Sequence, residues 1–381
     1  MDHAEQIVQL ERLLDMIENR KTSMAESVYR NPVDDYTDPE QFEAEWKRLF
    51  RRLPLVVALS CELVEPGAYL TEDRVGLPAL VIRGDDGKLR AFANVCRHRG
   101  TKLLRGCGVT KRRISCPYHA WSYTRDGALA HVPRDGAFSA DINLGELGLT
   151  PLPVVERHGL VWLVPSVGAA CDVDAFLGSA AADLASFAIE GYHHYETRSL
   201  RQAMNWKLVV DTFLETYHLG SLHRTTVFPI LHGDVGAFDP MGPHLRNVYA
   251  RRGLENLRDR PRSEWDFIEQ TAIVYVLFPN TVFVMQGDHI ETWRVFPDPN
   301  DVNASEIVLS LYTPEPTKTE SAKRHWDRNM DLLVRTVLEE DFPVGEEIQR
   351  GFYSGAQDHV VYGRNEPALA HFHAAVRQAL V

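Results

Sequence analysis

The sequence predicts an α+β protein: two N-terminal helices, a small all-β domain, then a larger domain with an antiparallel sheet flanked by helices. Three observations carry this expectation. Helical periodicity dominates residues 1–50, and residues 51–165 read as short apolar strands broken by Gly-rich corners. Residues 166–381 mix both periods, which points to an α+β arrangement rather than a parallel α/β one.

The elements follow in chain order. Ile7, Leu10, Leu14 and Ile17 recur at helical spacing. Asp38 is placed to cap a second helix, with Pro39 at its first position, Gln41 at its third, and Phe42, Trp46, Leu49 and Phe50 on one face. Strands are expected at Ala79–Ile82 and Leu89–Val95 around the turn Gly84-Asp85-Asp86-Gly87, with a turn at Gly127 and a strand from Gly159 to Val164. A helix is expected from about Asn205 to Gly220. Strands follow at Ala272–Phe278, Thr281–Gln286, Glu291–Phe296 and Glu306–Tyr312, with breaks at Pro279, Pro297 and Pro314. Trp326, Met330, Leu333 and Val337 mark one face of a long helix.

Composition narrows the function. The 381 residues are 44% hydrophobic and 25% charged, which suits a soluble globular chain and argues against wholesale disorder, collagen-like repeats or coiled coil. The net charge of −12, without a local basic patch, argues against nucleic acid and anionic membrane surfaces as partners. Five scattered cysteines do not resemble a disulfide framework, the acidic N-terminus lacks a signal-peptide apolar core, and the longest apolar run, Ala272–Phe278, stops at Pro279. A reducing, cytoplasmic location is the expectation.

Two constellations carry chemistry. The first is Cys96-Arg97-His98 followed, seventeen residues on, by Cys116-Pro117-Tyr118-His119. Each loop offers one thiolate and one imidazole, a donor set that suits tetrahedral zinc or a [2Fe–2S] cluster with thiolates on one iron and imidazoles on the other. The flanking residues Asn94, Val95, Arg99, Gly100, Ala120, Trp121, Ser122 and Tyr123, with the spacing, resemble the Rieske iron–sulfur signature. Ala120 departs from it, since family members often carry Gly there; a methyl group is tolerated if the backbone is not at positive φ. Cys107 lies between the loops and, with Cys61 and Cys171, is expected to be a buried, inert thiol.

The second constellation is Asn205-Trp206-Lys207 followed by Asp211, Phe213, Leu214, Glu215, His218 and His223. Glu215 and His218 fall close on one helix face, whereas His218 and His223 diverge by ~140° on an ideal helix. They can share a metal only if the helix distorts or ends between them, and Gly220 is the expected break. Asn-Trp-Lys followed by Glu-x-x-His-x-x-x-x-His, downstream of a Rieske motif, resembles the catalytic domain of Rieske non-haem iron oxygenases (the aromatic-ring-hydroxylating dioxygenase family), over about residue 36 to the C-terminus.

The resemblance implies a [2Fe–2S] cluster on Cys96, His98, Cys116 and His119, and a 2-His-1-carboxylate Fe(2+) site on His218 and His223 that leaves positions for O₂ and substrate. It places the carboxylate in a later acidic segment, with Asp341 the first candidate, Glu340 the second, and Glu346 and Glu347 read as solvated. Glu215 matches the family's bridging acid, which links the mononuclear site to a Rieske histidine of a neighbouring subunit. Most members carry Asp there, and Glu occurs in members acting on trimethylammonium compounds. Asp211 is read either as an acid hydrogen-bonding near the iron or as a helix carboxylate satisfied by backbone or Lys207.

No dinucleotide fingerprint is evident, so NAD(P)H electrons are expected to arrive through a separate reductase, with or without a ferredoxin. Aromatic-ring hydroxylation of a small-molecule substrate, as in aromatic hydrocarbon catabolism, is the leading reading. The alternative is monooxygenation or demethylation at an N-methyl, O-methyl or quaternary-ammonium group. Phe213, Leu214, Val276, Phe283 and Trp293 are candidate pocket residues, and a homotrimer is expected.

Overall fold

The computed structural model of the chain describes residues 1–138 and 142–381. These form two compact units, one of Trp46–Phe176 and the other of Met1–Glu45 with Leu177–Val381. The expected boundaries at 50/51 and 165/166 therefore move. The N-terminal segment packs on the second unit, into which its polar groups are tied. The Met1 ammonium pairs with buried Asp183 at 3.1 Å, and Arg12 pairs with Asp239 at 2.8 Å. Among the described residues, no helix is long and apolar enough to cross a membrane.

The Trp46–Phe176 unit consists of antiparallel strands. A five-stranded sheet runs in the order Pro151–Leu152, Leu89–Ala93, Ala79–Arg83, Ala68–Glu72, Cys107–Val109. One three-stranded sheet joins Val154–Arg157, Leu160–Leu163 and Leu55–Leu59, and another joins Ile114–Ser115, Ser122–Tyr123 and Leu129–His131. Cys107 is exposed and Cys61 and Cys171 are half-buried, contrary to expectation. Cys107 lies on an edge strand whose three residues all face water.

Two loops at the ends of strands carry the Cys/His pairs, and they are built alike. The Cys96 N–H donates to Thr101 O (2.8 Å) and Gly100 N–H to Cys96 O (3.0 Å); Cys116 N–H donates to Trp121 O (2.8 Å) and Ala120 N–H to Cys116 O (3.1 Å). Both turns close on a left-handed residue, Gly100 at φ 80° and Ala120 at φ 57°. The condition under which alanine was expected to be harmless at 120 is thus not met. An L-residue there carries roughly 1–2 kcal/mol of strain, part of which Gly would return as chain entropy. Ala120→Gly is expected to stabilise this unit by about 0.5–1 kcal/mol, read as a higher urea midpoint with the cluster spectrum unchanged.

The second unit contains seven antiparallel strands: β1 (His193–Gln202), β2 (Leu231–Met241), β3 (His244–Arg251), β4 (Thr271–Leu277), β5 (Thr281–Met285), β6 (Ile290–Asp298) and β7 (Asp301–Thr313). They run in the order β1-β7-β6-β5-β4-β3-β2. The helices that matter for the site are α1 (His3–Asn19), α2 (Pro39–Glu45), α3 (Trp206–Asp211), α4 (Glu320–Thr336), α5 (Phe342–Phe352) and α6 (Pro367–Leu380). The strands β4 to β7 and the helix α4 stand where the hydrophobic pattern puts them. Pro297, however, does not break its strand; it lies inside β6 beside a register shift at Asp298, the kind of irregularity that accommodates a missing N–H.

Candidate metal centres and the adjoining cavity

In the Trp46–Phe176 unit, the two loops bring both thiols and both imidazoles of the first constellation into one region. Cys96 and Cys116 are buried free thiols, and the rings of His98 and His119 meet at 4.7 Å. Their Nδ1 atoms are buried without a hydrogen-bond partner. A buried imidazole nitrogen left unpaired costs free energy, so two of them beside two thiols fit a bound metal cluster. Supporting groups fix the frame. Trp121 stacks on His98 at 4.8 Å, and the Tyr123 hydroxyl accepts from the Arg97 N–H (2.9 Å) while lying 3.3 Å from Cys96 Sγ. Buried Asn94 accepts from the N–H groups of Leu103 and Leu104 and donates to Leu104 O, which pins the first loop back on its sheet.

In the second unit the helix expected from Asn205 to Gly220 ends early. Asn205 caps α3 by accepting from Lys207 N–H (3.0 Å), but the helix stops at Asp211 and residues 212–230 continue as successive turns. The distortion needed to converge the histidines thus begins before Glu215 rather than at Gly220. Glu215 and His218 are neighbours through a turn: the His218 backbone N–H donates to Glu215 Oε2 (3.1 Å), and the His218 Nδ1 bonds to Glu215 Oε1.

The convergence is completed by residues 337–341, a π-turn joining α4 to α5. Such turns carry one extra residue and recur at functional sites. Asp341 Oδ1 lies 3.1 Å from His223 Nε2 and 3.6 Å from His218 Nε2, and donor atoms of the three residues all fall within 4.8 Å. Two ligands ~2.1 Å from one ion stand about 3.0 Å apart at 90° and about 3.6 Å at 120°, so these edges suit a shared ion. Glu340 has a different place. Its Oε2 meets the other face of His223, 2.5 Å from Nδ1, and accepts from the Thr226 hydroxyl at 2.7 Å.

Each histidine is therefore held at Nδ1 by a glutamate, Glu215 for His218 and Glu340 for His223, which leaves both Nε2 atoms for a metal. Outer partners of this kind typically change metal affinity by 10–100-fold. Glu340→Gln is expected to weaken retention of the mononuclear ion by about that factor, measured as the chelator concentration that strips it.

Asp211 is not satisfied by Lys207; it lines a second cavity together with Glu215, His218 and Asp341. It sits at the C-terminal end of α3, where its Oδ2 accepts from the Tyr36 hydroxyl (2.6 Å) and its Oδ1 lies 2.9 Å from His373 Nε2. Lys207 instead bonds Glu45, whose second oxygen accepts from the Trp206 indole at 2.8 Å. The Trp-Lys dipeptide thus serves one buried carboxylate on α2, a partnership invisible in the sequence because Glu45 and Trp206 are 161 positions apart.

A cavity of about 350 Å³ adjoins the three convergent residues. Its sheet wall shows strict alternation: Tyr249 and Arg251 on β3, Ala272 and Val274 on β4, Val284 and Gln286 from β5 and its end, Glu291 and Trp293 on β6. Of the five candidate pocket residues, Phe213 and Trp293 line it, with ring centroids 5.1 Å apart. Leu214, Val276 and Phe283 do not. Phe283 has the opposite parity and packs against Tyr275 on the other sheet face, Val276 is buried deeper in its row, and Leu214 is buried with its carbonyl accepting from Asn247.

The cavity also has a polar end. His289 bonds Asp288 (2.7 Å) and Glu291 (3.1 Å); burial opposes its charge, but the two carboxylates outweigh it and raise its pKa to about 9. Period-two reading of β4 to β6 could have found most of this wall.

Both constellations fall within segments that match known family models. The model for the ring hydroxylating alpha subunit (catalytic domain) matches residues 189–381, and that for the Rieske [2Fe-2S] domain matches residues 54–151. The glycine betaine monooxygenase oxygenase subunit of Chromohalobacter salexigens is 32% identical over 222 residues, 58% of this chain and 49% of that protein. The carnitine monooxygenase oxygenase subunit of Escherichia coli (strain K12) is 37% identical over 195 residues, 50% of this chain and 51% of that protein. The chain thus spans about half the length of these curated relatives. A solved quaternary ammonium Rieske monooxygenase, in complex with its substrate L-carnitine, matches with a TM-score of 0.79 at 25% identity, covering 93% of this chain and 97% of that one.

Proposed function

The chain belongs to the ring-hydroxylating alpha-subunit family of Rieske oxygenases, and on that premise we propose that it is an oxygenase component acting on a quaternary-ammonium compound. The earlier preference for aromatic-ring hydroxylation gives way to this alternative. The relatives named above are glycine betaine and carnitine monooxygenases. One observation in the chain itself carries the reading: Phe213 and Trp293 stand 5.1 Å apart in the cavity that also opens on His218, His223 and Asp341. Aromatic faces attract a trimethylammonium group through cation–π contact, and the carboxylate of Glu291 lies beside the indole, accepting its N–H at 2.9 Å.

Cys96, His98, Cys116 and His119 hold the cluster in this reading, and His218, His223 and Asp341 hold Fe(II). When bound, the iron supplies reductive activation of O₂ at its open positions. Net, one oxygen atom enters a C–H bond beside the ammonium nitrogen; the other leaves as water with two electrons from a separate reductase and two protons from solvent. Phe213 and Trp293 hold the cation so that this C–H bond faces the two histidines. Glu215 orients His218 and is offered to an imidazole N–H of a neighbouring copy, which makes a homotrimer the expected assembly.

The test is oxygen uptake by the iron-replete protein with a surrogate reductase and NADH, comparing trimethylammonium compounds with aromatic hydrocarbons. Uptake coupled to release of an aldehyde and a tertiary amine supports the proposal. Uptake with aromatic hydrocarbons alone overturns it.

A further inference from the structure

The cavity contains one guanidinium that makes no direct ion pair among the described residues. Arg251, at the end of β3, is the only Arg or Lys among the described residues that line the cavity. Its Nη2 donates to the side-chain oxygen of Gln286 at 2.7 Å and its Nε to Thr271 O at 3.3 Å, and both acceptors are uncharged. Among the described residues, no carboxylate lies within 4 Å of it. The nearby acids have other partners: Asp288 with His289 and His325, and Glu291 with His289, Gln286 and the Trp293 indole. A half-buried cation without a directly bonded counter-ion carries a desolvation cost that an incoming anion would offset. Burial is the leading influence on Arg251 and acts against its charge, while Asp288 and Glu291 favour it from a distance without touching it.

Arg251 is also joined to the aromatic wall. It donates to Gln286, Gln286 donates to Glu291 at 3.3 Å, and Trp293 donates to the same Glu291 at 2.9 Å. The row runs across one sheet face, from a guanidinium at one end to an acid and an indole at the other, with small Ala272 leaving room on the strand between. That polarity is complementary to a molecule with a carboxylate at one end and a quaternary ammonium at the other.

We propose that Arg251 receives the carboxylate of a zwitterionic substrate, so that the enzyme takes trimethylammonium carboxylates in preference to the corresponding alcohols. The assignment rests on the quaternary-ammonium reading above, and it names the end of the substrate that reading leaves open. The planar guanidinium offers a fork of donors matched to a carboxylate. Gln286 holds the fork in place from behind, as a positioning residue.

The experiment is calorimetric binding to the full chain, loaded with cluster and iron, under anaerobic conditions. The ligands form a square: trimethylammonium carboxylates with one to three methylenes, the matching trimethylammonium alcohols, and the tert-butyl carbon isosteres of both. For wild type, at least one carboxylate is expected to bind at least about 30-fold more tightly than its alcohol. Arg251→Gln should erase that ratio while leaving the alcohol's affinity unchanged, which also reports an intact cavity. Should Arg251→Gln fail to fold, Arg251→Lys replaces it and is expected to keep a reduced preference, because charge survives but the fork does not. Equal affinity for carboxylate and alcohol in wild type, or a preference that survives Arg251→Gln, overturns the assignment. The isosteres separate the two proposals: a carboxylate preference that depends on Arg251 but is indifferent to the ammonium charge would refute the quaternary-ammonium reading and leave the anion site standing.

Discussion

His223→Ala is expected to abolish turnover and to lower the iron content by one per chain, with the two irons of the [2Fe–2S] cluster and their rhombic EPR signal retained. On the proposed assignment, His223 is the residue on which the mononuclear site closes. Its Nε2 faces Asp341 at 3.1 Å, and its Nδ1 is held by Glu340 at 2.5 Å. Removing the ring takes away one donor and strands two carboxylates against each other. Loss of a supporting partner alone costs about 10–100-fold in metal affinity, so loss of the ligand should exceed that range. Metal analysis after anaerobic desalting, with turnover measured on the same sample, checks the prediction. Full iron with undiminished turnover would remove His223 from the site.

Lys207→Met is expected to destabilise the chain by about 3–5 kcal/mol without touching either metal. The Lys207 ammonium lies 2.5 Å from Glu45 Oε1, with each side chain only 1% exposed. Removing the cation leaves a carboxylate buried beside the Trp206 indole with its charge uncompensated. The double change Lys207→Met with Glu45→Gln should recover most of the loss, because the amide oxygen still accepts from Trp206 while the orphaned charge is gone. Glu45→Leu would recover less, since it leaves the indole N–H without an acceptor. Denaturant unfolding of the four variants, followed at the midpoint with the slope checked for constancy, decides the matter. A single-variant loss below 1 kcal/mol would mean that water reaches the pair.

What the sequence disclosed follows from what is local. The Cys/His loops and the Glu215/His218 neighbourhood are short-range, so spacing shows the donor sets, while the choice of metal rests on the flanking residues and the family they resemble. The strands β4 to β7 announced themselves because they are nearly all apolar. The strands that escaped reading have physical reasons for it. β1 and β2 are the two edges of the sheet and carry charged or turn-forming residues, as edges commonly do. β3 hides behind His244, Arg246 and Asn247; Arg246 is tolerated in the interior because Asp183 and Asp239 pair with it at 2.6 and 2.9 Å. The early end of α3 was not legible either, since the turns of residues 212–230 are closed by hydrogen bonds that helical periodicity does not encode. Choosing between Asp341 and Glu340 needed three dimensions. The two are adjacent in the chain, and only the π-turn determines which oxygen faces the Nε2 atoms and which takes the Nδ1.

That turn makes chain length itself a heritable requirement of the site. Thr336, Val337 and Asp341 all line the cavity, so the segment bearing the carboxylate is also part of the substrate's container. Deleting any one residue between 337 and 340 would swing Asp341 by ~100° about the helix axis and turn its oxygen away from both imidazoles. Point substitutions here can be graded; indels cannot. A library of single-residue deletions walked from α4 into α5 should therefore show an abrupt frame of intolerance over these positions, even where the deleted side chain is one that substitution can spare.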